Sequence, residues 1–177
     1  MELKELTDRT LEILKVESTS DMSERLLECV VNNDELIYEQ FCELVDNDLS
    51  TDWLQKIFQY YQADRKEKMQ DYTPKSLAEF MGELAGDESN TIIDMCAGSG
   101  ALTIQKWNKN HDLEFLLYEF DANVLPFLLF NMAVRNINCT VCHADVLEME
   151  IFKTYRIRRG ARYGRCKEVS NEHNTNF

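Results

Sequence analysis

Three carboxylates and two glycines stand where short β-strands are expected to end. Asp94 closes an apolar run, and Gly98 and Gly100 follow it directly before a predicted helix. Glu119 ends a second apolar run and Asp145 follows a third. A glycine-rich bend between a strand and a helix lets a ligand approach the backbone, with N–H groups of the helix start pointing at it. These residues therefore predict a ligand site at one edge of a sheet.

The acidic character of this edge restricts the kind of ligand. In Rossmann-type folds, a carboxylate at the end of the second strand accepts hydrogen bonds from a ribose diol, and Glu119 stands at that place. The acids would repel a pyrophosphate, but they attract a ligand with a sulfonium charge, an ammonium group and a ribose diol. S-adenosylmethionine carries these three groups. A lone G-x-G also fits a simple tight turn, so the carboxylates are what favour the cofactor interpretation.

The elements that must position these residues follow from the apolar periodicity. Residues 1–70 contain no Gly and no Pro, and apolar residues recur at helical spacing, which predicts an N-terminal helical domain. Residues 71–150 alternate short apolar runs with helical patterns, which predicts a parallel, doubly wound sheet. The predicted fold class is α/β, a helical domain followed by a partial Rossmann-like fold. The predicted strands are residues 91–95, 114–120 and 139–144.

Composition excludes several classes of protein. The chain has 177 residues, with 32 acidic against 19 basic side chains and a formal net charge of −13. This length fits one domain or two small ones and excludes a large multi-domain enzyme. A net acidic chain does not bind DNA phosphates over its whole surface. No apolar run approaches the roughly 20 residues of a membrane span, and the charged N-terminus has no signal-like stretch, so we expect a cytoplasmic protein.

The cysteine pattern favours free thiols in a reducing compartment. C-x-x-C-H at residues 139–143 is the attachment signature of c-type haem, but covalent haem attachment needs an exported chain, and the segment reads as a buried strand. Neither a second cysteine pair nor a histidine pair lies nearby, so a zinc site is not expected either. We predict no metal and no disulfide. The cysteines are Cys29, Cys42, Cys96, Cys139, Cys142 and Cys166.

Residues 71–150 resemble the N6-adenine DNA methyltransferases, specifically the N-terminal part of the methylation subunit of type I restriction-modification systems. The resemblance rests on four motifs in the family's order. They are similar to its F-x-T-P helix start, its D-P-A-C-G-T-G loop, its second strand and helix, and its G-D-x-L. In this chain they read DYTPKSLAEFM (71–81), IIDMCAGSGAL (92–102), LYEFDANVLPFLLFNMAVRNI (117–137) and HADVL (143–147). The helical residues 1–70 resemble the family's N-terminal helical domain more loosely.

The resemblance implies an S-adenosylmethionine-dependent methyltransferase fold and a set of cofactor-binding residues. Asp94 and the two loop glycines would hold the methionine part, Glu119 the ribose, and Asp145 the adenine amine. The threonine and proline of the first motif, with the tyrosine before them, would flank the cofactor. The full set is Tyr72, Thr73, Pro74, Asp94, Cys96, Ala97, Gly98, Gly100, Glu119, Asp121, Asp145 and Val146.

One motif of the family is missing. Members carry N-P-P-[FY] after the fourth strand, where it binds the flipped target adenine, but the only prolines here are Pro74 and Pro126. No catalytic residue is therefore assigned, and we expect a module that binds the cofactor but transfers no methyl group alone. The alternative is a non-catalytic interaction or regulatory subunit of a restriction-modification complex, with vestigial cofactor motifs.

The sequence also gives expectations about binding partners and about residues 151–177. Without a fourth strand the first strand lacks a neighbour on one side, and such an edge recruits a second copy or the remaining half of a methylation subunit. DNA is expected only as part of such a complex, and no membrane contact is expected. Residues 151–177 carry 7 basic and 2 acidic side chains and form a predicted basic tail, either disordered or covering the sheet edge. Its arginines fit two interpretations, contact with DNA phosphates and a solvated end.

Overall fold

The computed structural model describes residues 1–62, 73–84 and 89–169. A short 3₁₀ helix, Thr19–Asp21, precedes the second α-helix. No helix in these ranges is long and apolar enough to cross a membrane. The helices are α1 (Leu3–Leu14), α2 (Met22–Val31), α3 (Glu35–Leu44), α4 (Trp53–Tyr61), α5 (Lys75–Leu84), α6 (Ala101–Lys109) and α7 (Leu125–Val134). The strands are β1 (Thr91–Asp94), β2 (Glu114–Glu119), β3 (Cys139–Asp145), β4 (Glu150–Arg159) and β5 (Gly164–Val169).

Aspartate side chains cap two of the four N-terminal helices, α1 to α4, which are called the front helices below. The Asp34 side chain accepts a hydrogen bond from the N–H of Ile37 at the start of α3, and Asp52 accepts one from Gln55 at the start of α4. Such a cap satisfies a backbone donor that the first helical turn leaves without a partner. The sequence predicts the start of α4 from residues 50–52, and this is confirmed. It predicts the start of α3 from Asn32 and Asn33, which was wrong by a residue or two, because Asn33 has a φ of 52° and belongs to the turn that ends α2.

The five strands form one mixed sheet in the order β1-β2-β3-β4-β5. The pairs β1–β2 and β2–β3 are parallel, whereas β3–β4 and β4–β5 are antiparallel. The parallel prediction is therefore confirmed for the first three strands but does not extend to the last two. The physical reason is the short connection at residues 146–149, because a parallel crossover needs a dozen or more residues.

Helix α7 forms the centre of the hydrophobic core. All of its residues are buried, and α2, α4, β3 and β5 pack around it. Phe130 lies 5.3 Å from Tyr38 and 5.2 Å from Phe41, measured between ring centroids, and Phe127 lies 5.1 Å from Phe58. One continuous buried cluster therefore runs from the front helices to the sheet.

The two faces of the sheet have different surroundings. The face towards α7 is covered, and Phe115, Leu117 and Val141 are buried there. The opposite face, called the open face below, holds a small buried group made only of residues from the strands and the β3–β4 connection. Ile93 projects from that face and is 60% exposed, although its neighbour in the register is the apolar Leu116. A doubly wound sheet has helices on both faces, and no described helix contributes to the buried group on this one.

Strand β1 lies at one end of the sheet. Within the described residues it pairs only with β2, and no other described strand lies on the second side of its backbone.

The segment after residue 150 differs from its prediction. Residues 150–169 form β4 and β5 and continue the sheet from β3, so they are neither disordered nor placed over β1. Alternation of apolar and charged residues explains the difference: Tyr155, Ile157 and Cys166 are buried against the core, while Arg156, Arg158, Arg165 and Lys167 beside them are exposed. The prediction for residues 170–177 lies outside the described residues.

The six cysteines are all free thiols, and five of them are buried. Burial raises the pKa of the Cys139 thiol and of the Cys142 thiol, which suppresses the reactive thiolate. The C-x-x-C pair is therefore part of the packed β3 strand. Cys96 lies in the loop between β1 and α6 and is the exposed cysteine.

The aromatic cluster around α7 predicts a single cooperative unfolding transition. Replacing the buried Phe130 with alanine (Phe130→Ala) should lower the free energy of unfolding by about 3–5 kcal/mol, because it removes contacts with both α3 and the rest of the core. Leu36 also lies in α3 but is 61% exposed, so Leu36→Ala should change it by less than about 0.5 kcal/mol. Urea unfolding followed by far-UV circular dichroism measures both. Two separate transitions would contradict the shared core.

Candidate functional site

The loop between β1 and α6, residues 95–100, contains two glycines with different constraints. Gly100 precedes α6 with a φ of 98°, and a Cβ there would lie 2.9 Å from Met132 and 3.0 Å from Leu128. This glycine is therefore required for the loop to pack on α7. Gly98 has a φ of 57°, but no atom lies within 4 Å of a Cβ placed on it. The backbone at Gly98 is thus open to a ligand.

Hydrogen bonds to Glu119 join residues 95–100, called the glycine loop below, to the end of β2. Its Oε2 accepts a hydrogen bond of 2.8 Å from the N–H of Gly98, and its Oε1 accepts one of 2.7 Å from the N–H of Asp121. The N–H of Ala97 donates to the carbonyl of Tyr118 at 2.9 Å. A carboxylate has about four acceptor sites, so Glu119 keeps capacity for a ligand donor.

Asp94 and Cys96 lie in the same region. The Oδ1 atom of Asp94 accepts a hydrogen bond of 3.2 Å from the N–H of Cys96. Burial raises the pKa of Asp94 and of Glu119 above the ordinary carboxyl range, although amide hydrogen bonds oppose the rise. Burial also raises the pKa of the Cys96 thiol, with a further contribution from the charges of Glu119 and Asp94. The three groups are therefore close enough to interact electrostatically.

Asp145, Val146 and Asp121 shape the neighbouring turns. The Oδ1 of Asp145 accepts hydrogen bonds from the N–H groups of residues 147 and 148, at 3.0 and 3.1 Å. Val146 packs against the small buried group of the open face. The Oδ1 of Asp121 accepts a bond of 2.9 Å from the N–H of Asn123. Asp145 ends the strand beside β2, but no hydrogen bond among the described residues joins it to Glu119.

Two cavities flank the start of α6. One, of about 630 Å³, is lined by Thr73, Pro74 and Ala101 together with residues of α4. The other, of about 220 Å³, runs beside β1 and is lined by Asp94 and by residues of α5 and α6. Glu119 and Asp145 line neither cavity. The structure thus puts Thr73 and Pro74 on one side of the helix start and Asp94 on the other, whereas Tyr72 lies outside the described residues.

A buried carboxylate from the front helices supports the glycine loop, and sequence reasoning missed this role. Asp52 is 6% exposed. Its Oδ2 accepts a hydrogen bond of 2.7 Å from the hydroxyl of Ser99, and its Oδ1 accepts bonds of 2.9 Å from the Asn131 amide and from the N–H of Gln55. The Asn131 amide also donates to the carbonyl of Ser99 at 2.9 Å. Ser99 is therefore held through both its side chain and its backbone.

Arg135 completes this buried network. It donates to the carbonyls of Leu49 and Thr51, each at 2.9 Å, and to the Oδ1 of Asn131 at 2.8 Å. Burial lowers the pKa of Arg135 to about 10, and the attraction of Asp52 opposes that shift. Burial likewise raises the pKa of Asp52, with Arg135 as the main opposing influence. The network joins the α3–α4 connection to α7 and to the glycine loop.

One comparison with known proteins gave a match. Residues 45–160 match the family model described as N-6 DNA methylase, and the matched range includes the glycine loop, Glu119 and Asp52. Neither the curated proteins nor the solved structures contain a match.

The network makes Asp52 a sensitive position for stability. Asp52→Ala would leave the Ser99, Asn131 and Gln55 donors without their acceptor and would leave Arg135 buried without an opposite charge. We expect it to lower the free energy of unfolding by about 3–5 kcal/mol. Asp52→Asn keeps an acceptor for two of these donors, so it should lower the free energy of unfolding clearly less than Asp52→Ala does. Urea unfolding of both variants measures the difference, and equal losses would show that hydrogen-bond geometry is not what the site requires.

Proposed function

Since the chain belongs to the N-6 DNA methylase family, we propose that it binds S-adenosylmethionine beside its glycine loop, at the surface around Asp94, Gly98 and Glu119, which is called the crevice below. The observation that carries the proposal is the open side of Gly98, whose N–H is held by the Glu119 carboxylate. The mixed α/β sheet is compatible with a methyltransferase-like fold. Rossmann-like folds bind a nucleoside ligand at a glycine-rich loop between a strand and a helix, and the order of β1, the glycine loop and α6 supports the proposal for this reason.

The residues of the crevice suit the charge and shape of this cofactor. Glu119 has lone pairs left to accept hydrogen bonds from a ribose diol. Asp94 and the loop backbone would hold the methionine part, with the carboxylate attracting the ammonium and sulfonium charges. Asp145, at the end of β3, would accept from the adenine amine, and Thr73 would border the methionine end. The remaining members of the proposed set are Tyr72, Pro74, Cys96, Ala97, Gly100, Asp121 and Val146.

Bound S-adenosylmethionine supplies a methyl group on a sulfonium, but the transfer to adenine needs further residues. The N-P-P-[FY] tetrapeptide that holds a target adenine does not occur in the 177 residues. We therefore propose that this chain alone binds the cofactor and transfers nothing. The unpaired side of β1 is where a second copy or the remaining half of a methylation subunit would pair. Action on DNA would then belong to the complex.

Isothermal titration calorimetry with S-adenosylmethionine tests the cofactor proposal. The unaltered protein should bind with a stoichiometry of one. Gly98→Ala places a methyl group on the open side of the loop and should weaken binding at least tenfold, and Asp94→Asn should weaken it through the lost charge.

Asp112→Asn is the matched control for that titration, since it removes a carboxylate whose side chain is 89% exposed and lies outside the crevice. It should bind as the unaltered protein does. Thermal unfolding of each variant separates lost binding from lost folding. Absence of heat from the unaltered, folded protein would defeat the proposal.

The raised carboxyl pKa values predict opposite effects of acid on binding and on folding. A positively charged ligand needs Asp94 and Glu119 ionised, so its affinity should fall as the pH drops towards their raised pKa values, above the ordinary carboxyl range. Because the folded state protonates these groups more readily than the unfolded chain does, their contribution to stability is present at acid pH and is lost as the pH rises through the folded-state pKa. Titrations at a series of pH values below 7.5 should show binding that weakens as the pH falls, and Asp94→Asn should flatten the profile. A flat profile for the unaltered protein would contradict the role of the carboxylates.

A further inference from the structure

Four basic side chains share the open face of the sheet at the end farthest from β1. In the β4–β5 pairing Arg156 stands opposite Lys167, and Arg158 stands opposite Arg165. Successive residues of a strand point to opposite faces. Tyr155, Ile157 and Cys166 point into the core, so these four cations point away from it, and all four are exposed. We call them the basic strip.

The basic strip lacks enough acidic partners within the protein. Arg158 forms an ion pair with Glu114. The side chains of the other three members form no hydrogen bond or ion pair with residues 1–62, 73–84 and 89–169. Like charges directly opposite each other on antiparallel strands destabilise the pair. The arrangement therefore carries an unfavourable repulsion that an external anion would relieve.

The basic residues next to the strip, unlike most of its members, form ion pairs within the protein. Lys153 pairs with Glu168 at 3.8 Å, Arg159 pairs with Asp112 at 3.2 Å, and Arg162 pairs with Glu39. Folding thus neutralises the basic residues around the strip and leaves the strip itself charged, in a chain of net charge −13. Charged residues on an edge strand also prevent aggregation. That function does not explain Arg156 and Arg158, which belong to β4, a strand paired on both sides.

We propose that the basic strip binds the phosphate backbone of duplex DNA, at a surface separate from the cofactor crevice. Arg156 and Arg158, two residues apart on one strand, are about 7 Å apart, and β5 lies about 5 Å to the side. Three of the four members are arginines, whose guanidinium groups bind phosphate in a bidentate manner. DNA is favoured over an acidic polypeptide because the family to which the chain belongs acts on DNA.

The strip lies away from the crevice, so the two sites have different roles. It neighbours Glu114, at the amino end of β2, whereas Glu119 and the glycine loop lie at the carboxyl end. Five residues of strand separate the two ends by about 17 Å. The strip would hold backbone phosphates without regard to sequence and would not contact the base to be modified. The inference rests on family membership and on the strip, and it does not require cofactor binding.

Fluorescence anisotropy with a labelled 20-base-pair duplex tests the proposal on the full chain. Neutralising the three unpaired members in one protein (Arg156→Gln, Arg165→Gln, Lys167→Gln) should weaken binding at least tenfold at 50 mM salt. With about three phosphate contacts, the affinity of the unaltered protein should fall about 40-fold between 50 and 200 mM salt, and the triple variant should lose most of this dependence. Its melting temperature should stay equal or rise, because the substitutions remove like-charge pairs.

A matched control removes three exposed basic residues from α1 and the turn that ends it (Lys4→Gln, Arg9→Gln, Lys15→Asn) and so reaches the same net charge. It should bind DNA as the unaltered protein does, and both triple variants should keep any S-adenosylmethionine binding that the unaltered protein shows. Equal weakening in both triple variants, or no binding by the unaltered protein at 50 mM salt, would overturn the proposal. Displacement of the duplex by poly-glutamate at equal charge concentration would also overturn it, in favour of an acidic protein partner.

Discussion

The buried carboxylate of Asp52 is the interaction on which the arrangement of the site depends. It comes from the connection between two front helices, yet it accepts a hydrogen bond from Ser99 in the loop between β1 and α6. Through Asn131 it also reaches α7, the most buried helix of the protein. A buried carboxylate is unfavourable unless donors and an opposite charge surround it, and Arg135 supplies that charge. The front helices are therefore part of the structure that shapes the loop.

The local part of the site could be predicted from the sequence. Gly98, Gly100 and Glu119 lie where the strand and helix patterns put them, because the carboxyl ends of parallel strands meet at one edge of a sheet. The sequence also contains a helix-start signal at residues 50–52, since a cap depends only on nearby residues, and the structure shows Asp52 to be the cap. Its bond to Ser99 spans 47 residues and leaves no periodic signal. In the sequence, a polar residue that distant parts of the chain bury cannot be distinguished from any other residue that caps a helix.

The last two strands also show that the sequence does not reveal contacts between residues that only folding brings together. The run of arginines from Arg156 to Arg165 suggested a solvated tail by composition, but the apolar residues between them alternate and are buried. Alternation with period two determines the face on which each side chain lies, so it also collects the charges on one surface. Composition alone gives the number of charges. Only the pairing of β4 with β5 brings Arg156 opposite Lys167.

Asp52 and Glu119 together fix the glycine loop by complementary means. Asp52 and Asn131 hold Ser99 from the core, and Glu119 holds the adjacent Gly98 from the sheet, so two consecutive residues are anchored in different directions. A loop that is ordered before binding loses less conformational entropy when a ligand arrives. The hydrogen bonds to Glu119 favour its ionised form, whereas burial disfavours it. A cationic ligand would add to the first effect, and it would thereby strengthen the same contacts that keep the loop open at Gly98.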